Sequence, residues 1–225
     1  MKDIRDFLIR LRKNNNRDWF AAHKAEYKEA EARFMDFTEK LIEGISSFDP
    51  SVKRLTVKDC TYRIYRDTRF STDKTPYKTH MGAYICKGGK KSGNSGYYFH
   101  IEPSDEDSPS MNLMSSGLYM PEKNFLKSVR EDILYNGDTF LAAVKKAKGF
   151  RLCMENTLRR VPAGFPAESP YADYLKLKDL YLERTFDDAF LFDSRLLENT
   201  VAAFKTTLDF TNFINRAVEF AREEL

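Results

Sequence analysis

The sequence predicts an α+β fold, in which helices at both ends of the chain flank a central, mainly antiparallel sheet. Near both termini, over about residues 3–46 and 197–221, apolar residues recur every three or four positions, which indicates amphipathic helices. Between about residues 52 and 118, apolar and polar residues alternate, which indicates strands. Strands that cluster between flanking helices are typical of an α+β protein built around an antiparallel sheet.

The composition is that of an ordinary globular protein. The chain has 225 residues, 42% hydrophobic and 32% charged, and this length can bury a sizeable core. No repeat or shift in composition divides it, so we expect one domain over residues 1–225. No run approaches the roughly 18 apolar residues of a membrane span, so we expect no membrane association. A net charge of +3 is too small to indicate nucleic-acid binding by itself.

The cysteines indicate the compartment. Cys60, Cys86 and Cys153 are odd in number, widely spaced and without a Cys-x-x-Cys motif, which favours free thiols in a reducing environment. The N-terminal Met-Lys-Asp-Ile-Arg-Asp is charged from its second residue and lacks the apolar core of a signal peptide. We therefore expect a cytoplasmic protein.

Two helices are predicted in the N-terminal part of the chain. The first covers about residues 3–13, and the asparagines at 14–16 end it. One of these asparagines is expected to cap a second, long helix over about residues 17–46. The apolar face of the first helix consists of Ile4, Phe7, Leu8 and Leu11.

The secondary structure of the rest of the chain is predicted from its hydrophobic periodicity and its turn residues. Residues 67–78 are rich in Ser, Thr and Asp and contain Pro76, so they are predicted to form an ordered loop. Strands are predicted at about 52–58, 61–66, 80–86, 97–102, 110–118 and 149–154, with an edge strand at 181–186. Helices are predicted at about 121–135, 138–148 and 171–177. Two C-terminal helices follow. The apolar face of the first consists of Leu197, Val201, Phe204 and Leu208, and that of the second of Phe210, Phe213, Ile214, Ala217 and Ala221.

Positive charge and aromatic residues concentrate in the stretch 62–84. Over residues 61–80, five Lys or Arg residues stand against two Asp, a net charge of +3 that equals the net charge of the whole chain. The rest of the chain therefore has no net charge. One cationic, aromatic stretch in an otherwise neutral chain is predicted to bind an anion. Guanidinium groups bind phosphate or carboxylate in a bidentate manner, and ammonium groups add point charges.

We expect this stretch to bind a small phosphorylated or carboxylated ligand. If residues 61–66 form a regular strand, Arg63 and Tyr65 share one face and Arg66 lies on the other. The predicted ligand-binding residues are Arg63, Tyr65, Arg69, Lys74, Tyr77 and Lys78.

Two alternatives to a small-ligand site remain open for this stretch. In the first, Arg66 pairs with a nearby carboxylate such as Asp67 or Asp73, and the loop is a structural clasp or an interaction module. In the second, basic and aromatic residues along a strand bind single-stranded nucleic acid, although the mildly basic isoelectric point near 8.6 favours this less.

His100 and Glu102 are candidates for acid–base catalysis. They lie two residues apart on the polar face of a predicted strand, where a carboxylate can orient an imidazole and raise its pKa. The alternative is a half-exposed histidine beside a surface glutamate. With three histidines, no His-x-x-x-His and no cysteine pair, we expect no metal and no cofactor, and the acidic residues 105–107 are expected to be a solvated loop. Whether the protein is an enzyme stays open.

Several segments resemble a known family. They are Asn-Asn-Arg-Asp-Trp-Phe at 15–20, the whole run from Tyr62 to Thr79, Gly-Tyr-Tyr-Phe-His-Ile-Glu-Pro at 96–103, Ser-Gly-Leu-Tyr-Met-Pro at 116–121 and Arg-Arg-Val-Pro-Ala-Gly-Phe at 159–165. Together they resemble the domain-of-unknown-function 2461 family over most of the chain. The resemblance implies a single-domain, cytoplasmic, largely bacterial type of protein and no established activity. The chain departs from the family pattern at residues 111–116, where a glycine-rich approach is usual.

Overall fold

A five-stranded antiparallel sheet forms the centre of the protein, in a computed structural model that describes residues 1–104 and 111–224. Its strands lie in the order β1-β2-β3-β5-β4. The strand bounds are β1 Met81–Cys86, β2 Gly96–Ile101, β3 Asn112–Leu118, β4 Arg151–Leu152 and β5 Leu180–Phe186. Together with the helices before and after it, this sheet confirms the predicted α+β fold.

The helices of the described chain occupy both ends and the long segment between β3 and β4. Their bounds are α1 Lys2–Lys13, α2 Arg17–Ala22, α3 Lys24–Ser46, α4 Val57–Cys60, α5 Lys123–Lys146, α6 Ala172–Leu175, α7 Asp188–Leu191, α8 Leu196–Lys205 and α9 Leu208–Glu223. None of the helices in these ranges is long and apolar enough to cross a membrane.

The main helices pack on one face of the sheet. Side chains alternate between the two faces of a strand, and those of Tyr97, Phe99 and Ile101 enter a core with α1, α3 and α8. Further along the same face, Leu180 and Leu182 enter a second core with α5 and α9. The opposite face, which we call the open face, carries Tyr84, Tyr98, His100, Leu113, Ser115, Tyr181 and Glu183.

The predicted helix over 17–46 is interrupted at His23. Its backbone angles, φ −109° and ψ 20°, are not helical. The helix α2 ends just before it, and α3 begins just after it. The cause is local, since the Nδ1 atom of His23 lies 2.8 Å from the carbonyl oxygen of Trp19 and the two rings stack at 4.0 Å. The predicted asparagine cap is confirmed, because Asn16 Oδ1 accepts a hydrogen bond from the backbone of Trp19.

The predicted strands 52–58 and 61–66 are wrong. Thr56 and Asp59 form a capping box that begins the short helix α4. After it, residues 61–80 contain no strand, and their β-type pairing is limited to single bridges, one from Thr61 to Ala83 and one inside the segment from Tyr65 to Tyr77. The alternating pattern instead reflects an irregular segment that buries Ile64 between exposed neighbours. We call residues 62–79 the basic loop.

One further prediction needs correction. The strand predicted at an edge, β5, is an interior strand, because β4 pairs with its outer side. The two helices predicted at 121–135 and 138–148 are the two halves of α5, which meet at Asn136, where the backbone is not helical. The helix α7 was not predicted, and the acidic residues 105–107 lie outside the described residues. The single domain stays a prediction.

Candidate functional site

The β1–β2 hairpin brings three titratable side chains together at the end of the open face. Its register pairs Met81 with Ile101 and Gly82 with His100, so the next residue back, His80, lies beside Glu102. One potential ligand atom from each of His80, His100 and Glu102 lies within 4.8 Å of the other two. We call these three residues the His–Glu cluster. His80 was not among the predicted site residues. The glycine-rich segment near residues 88–93 indicates the tip of a hairpin, and the strand pairing that follows from this tip would have placed His80 beside Glu102.

His100 contacts a polar partner on each side of its ring, and its side chain is nearly buried. Its Nδ1 atom lies 2.8 Å from the hydroxyl of Tyr98, and its Nε2 atom lies 3.2 Å from Oε2 of Glu102. Both partners come from alternate positions of the same strand, as the spacing predicts. The structure therefore brings the predicted His100–Glu102 pair into contact, while its catalytic role stays a prediction.

Glu102 is held in place from two further directions. The hydroxyl of Thr79 donates a hydrogen bond to Oε1 of Glu102 at 3.2 Å, and the backbone N–H of Glu102 donates to the side chain of Asn112 at 3.1 Å. Asn112 is itself buried. The second carboxylate oxygen therefore stays directed at His100, which is unlike a freely rotating surface glutamate.

Two side chains of the cluster have pKa values below their usual ones. Burial lowers the pKa of His80 to about 4, and the nearby His100 acts in the same direction. The hydrogen bond with His100 holds the pKa of Glu102 below its usual value. Near neutral pH, His80 is therefore uncharged and Glu102 is ionised.

A glycine makes room for the contact between Tyr98 and His100. A Cβ atom at Gly82 would lie 2.6 Å from the hydroxyl oxygen of Tyr98, closer than two such atoms can approach. Because Gly82 lies directly opposite His100, the phenol can cross the strand here and reach the imidazole.

Beside the His–Glu cluster, a cavity of about 540 Å³ opens on the open face. Strand and loop residues line it, and Tyr98 belongs both to this lining and to the hydrogen bonds of His100. Its aromatic walls are formed by Tyr62, Tyr84, Tyr98, Tyr119 and Tyr181. Ser115 and Glu183 contribute polar groups, and Lys90 and Lys91 contribute positive charge. A volume of this size suits a small organic molecule.

The rim of the cavity contains strained backbone. Met120 has φ 49°, which a residue with a side chain rarely adopts, and it is the one such residue outside glycine in the described ranges. Its backbone N–H donates to the buried carboxylate of Asp179 at 2.7 Å, and Asn156 donates to the other oxygen of that carboxylate. The rim is therefore held in one conformation.

Two of the four cationic residues predicted to bind a ligand have partners inside the basic loop. Arg69 forms an ion pair with Asp67 at 2.6 Å, and Lys74 donates to the carbonyl of Thr68 at 2.9 Å. The guanidinium of Arg66, predicted to face away from the ligand, contacts Asp73 and Thr75. The structure does not bring these groups together around a common point.

The tyrosines of the basic loop lie against the N-terminal helices. Tyr77 is buried, and its ring stacks on Phe20 with centroids 3.9 Å apart. Asn15 donates to the carbonyl of Tyr77 and accepts from its N–H, which fixes the loop to the turn before α2. Tyr65 contacts the edge of the same phenylalanine. Both rings therefore contribute to the attachment of the loop.

One of the predicted cations, Lys78, and one lysine outside the predicted set, Lys90, lie over a ring of the cavity. The ammonium of Lys78 is 5.4 Å from the centre of the Tyr62 ring, and that of Lys90 is 5.9 Å from the same ring. Burial, with a smaller contribution from Arg63, lowers the pKa of Lys78. Neither Lys78 nor Arg63 forms an ion pair with any residue in the described ranges. Lys78 therefore lies over the Tyr62 ring without an ion-pair partner, although neither it nor Arg63 is among the residues that line the cavity.

The fold and this cavity define an α+β protein with a ligand-sized, tyrosine-lined depression on the open face of its sheet. Over residues 3–213 the chain matches a family model described as conserved hypothetical protein (DUF2461), and it belongs to this family, as its motifs predict. No curated protein matches the chain. No solved structure matches it either.

Proposed function

We propose that the cavity on the open face binds a small molecule that carries a phosphate or carboxylate and a flat apolar part. The observation that carries this proposal is the arrangement around Tyr62, where Lys78 and Lys90 lie on a ring that also lines the cavity. Positive charge and aromatic surface therefore meet at one end of the cavity. The ligand class is the one that the sequence predicts, while its position moves from the basic loop to the cavity beside it.

The walls of the cavity suit the apolar part of such a ligand. A tyrosine buries a large flat surface at a small entropic cost, because its side chain has few rotatable bonds. Two of the hydroxyl groups already have partners, since Tyr84 donates to the carbonyl of Gly117 at 2.7 Å and Tyr98 contacts His100. These rings are therefore fixed before a ligand arrives, which reduces the cost of binding.

The charges of the cavity suit the anionic part. The carboxylate of Glu183 is paired with Arg151 at 3.0 Å, so it opposes an anion only weakly. Lys91 is exposed and forms no ion pair with a described residue, and Lys90 donates to the backbone carbonyl of Lys58. The ammonium of Lys91 can contact a phosphate or carboxylate directly, whereas that of Lys90 uses one of its three N–H donors on the Lys58 carbonyl and has two left for an anion.

Binding can be measured by calorimetry with inorganic phosphate, a nucleoside monophosphate and an aromatic carboxylate. We expect the two aromatic anions to bind and phosphate alone to bind weakly. The double variant Lys90→Ala/Lys91→Ala should raise the Kd about tenfold, as the loss of one charged contact predicts. Ser115→Trp, which fills the cavity from β3, should abolish binding without lowering the midpoint of urea unfolding.

A matched control is Arg69→Ala/Lys74→Ala, which also removes two positive charges and one lysine bond to a backbone carbonyl. It should leave the Kd unchanged. An equal loss of affinity in both double variants would contradict the proposal, because it would indicate a general charge effect. Tighter binding of an oligonucleotide of about eight nucleotides, with steep salt dependence, would replace the proposal with single-stranded nucleic-acid binding.

A further inference from the structure

Two imidazoles and one carboxylate converge at the His–Glu cluster, and this set of donors is one that metal ions use. Nitrogen and oxygen ligands of this kind suit divalent first-row transition metals, whereas magnesium and calcium prefer oxygen alone. We propose that His80, His100 and Glu102 bind one such ion. This inference goes beyond the proposed function, and either can hold without the other.

The spacing of the donor atoms is close to what a metal needs. Two ligands that each lie about 2.1 Å from an ion are about 3 to 3.5 Å apart. Nε2 of His100 and Oε2 of Glu102 already have this spacing at 3.2 Å. His80 lies further out, with its ring stacked on that of His100 at 4.7 Å, so a rotation of this one half-buried side chain completes the set.

The surroundings of the cluster also match a metal site. A histidine that binds a metal through one nitrogen usually donates a hydrogen bond from the other, which fixes the ring. In His100 the nitrogen that faces away from the cluster, Nδ1, contacts the hydroxyl of Tyr98. Thr79 holds the second oxygen of Glu102. Such outer contacts distinguish the cluster from a histidine and a glutamate that meet by chance at a surface.

The sequence led us to expect no metal because the histidines show no short spacing along the chain. His80 and His100 are twenty residues apart, and only the register of the β1–β2 hairpin brings them together. Three protein ligands leave coordination positions for water or another molecule, as in catalytic rather than structural metal sites. Tyr98 contacts His100 and also lines the cavity, so a bound ion would lie near the ligand site.

The test uses full-length protein without an affinity tag, treated with a chelator and titrated with Co²⁺ and then Zn²⁺. Calorimetry should give one ion per chain, and Co²⁺ should give visible absorption bands of a nitrogen- and oxygen-bound ion. His80→Ala and Glu102→Gln should weaken binding by more than about 100-fold. Tyr98→Phe, which removes an outer contact, should weaken it by about tenfold.

His23→Ala is the matched control, because His23 stacks on Trp19 outside the cluster. It should bind Co²⁺ like the natural sequence. The proposal is overturned if the unaltered protein binds no ion, or if His23→Ala and His80→Ala lose the same affinity. Circular dichroism of each variant separates the loss of a ligand from the loss of the fold, and Glu102→Gln, which keeps its size, serves if His80→Ala does not fold.

Ligand titrations on the metal-free protein keep the two proposals apart. Binding of an aromatic anion without any metal binding would contradict only the proposed metal site. If the protein binds a metal ion but none of the tested anions, only the proposed function is contradicted.

Discussion

The basic loop and the open face both concentrate polar residues, but they satisfy them in different ways. In the basic loop, Arg69 and Lys74 find partners within six residues along the chain. On the open face, His80 and His100 meet across two strands and lie beside a cavity. A high density of charge in a sequence therefore does not by itself mark charge that is free to bind a ligand.

The energies of the two regions differ for the same reason. Exposed ion pairs between near neighbours contribute little to stability, about 0 to 1 kcal/mol each, because water screens them. The buried ring of Tyr77 contributes more, since nearly all of its surface leaves water. The loop is thus attached by its aromatic residues, while its charges mainly satisfy one another.

The largest effect that we predict tests this attachment. Tyr77→Ala should lower the free energy of unfolding by about 3 kcal/mol, because it empties a buried site against Phe20. Tyr65→Ala is the matched control, since its ring is 48% exposed, and it should cost clearly less. Urea unfolding measures both. Equal and small losses would show that Tyr77 does not attach the loop and would return it to the set of ligand-binding candidates.

A smaller effect separates the two ion pairs of the loop. Arg66→Ala should cost about 1 kcal/mol, because its half-buried guanidinium loses both Asp73 and Thr75. Asp67→Ala removes an exposed partner of Arg69 and should leave the midpoint of urea unfolding unchanged. If both variants destabilise strongly, the whole loop is a structural clasp, which is the alternative that the sequence left open. Neither change should alter ligand binding in the cavity.

A last prediction concerns pH and the end of the open face where the tip of the β1–β2 hairpin covers Cys86. Burial raises the pKa of Cys60 to about 12 and that of Cys86 to about 11. The unfolded chain ionises these thiols near pH 8.5 while the folded chain keeps them protonated, so the free energy of unfolding should fall as pH rises from about 8.5 to 11. At pH 8 a disulfide reagent should react with both thiols only after unfolding in urea. Fast reaction in the folded state would show that this end is open.

Local chemistry was enough to predict several features correctly. The apolar face of α1, the cap at Asn16 and the strands β1 and β2 depend on side chains close together in the sequence. The contact between His100 and Glu102 was predictable for the same reason, since alternate residues of a strand share a face. The capping box of Thr56 and Asp59 was also visible, but the alternating pattern around it favoured a strand.

The remaining features depend on contacts between distant segments. The sequence by itself determined the α+β class, the family and the composition of the basic loop. Only the tertiary structure decided that β5 lies inside the sheet, that Tyr77 stacks on Phe20 and that His80 joins His100 and Glu102. The physical reason is that periodicity specifies which face a side chain takes, whereas the register and order of strands depend on the packing of the whole chain.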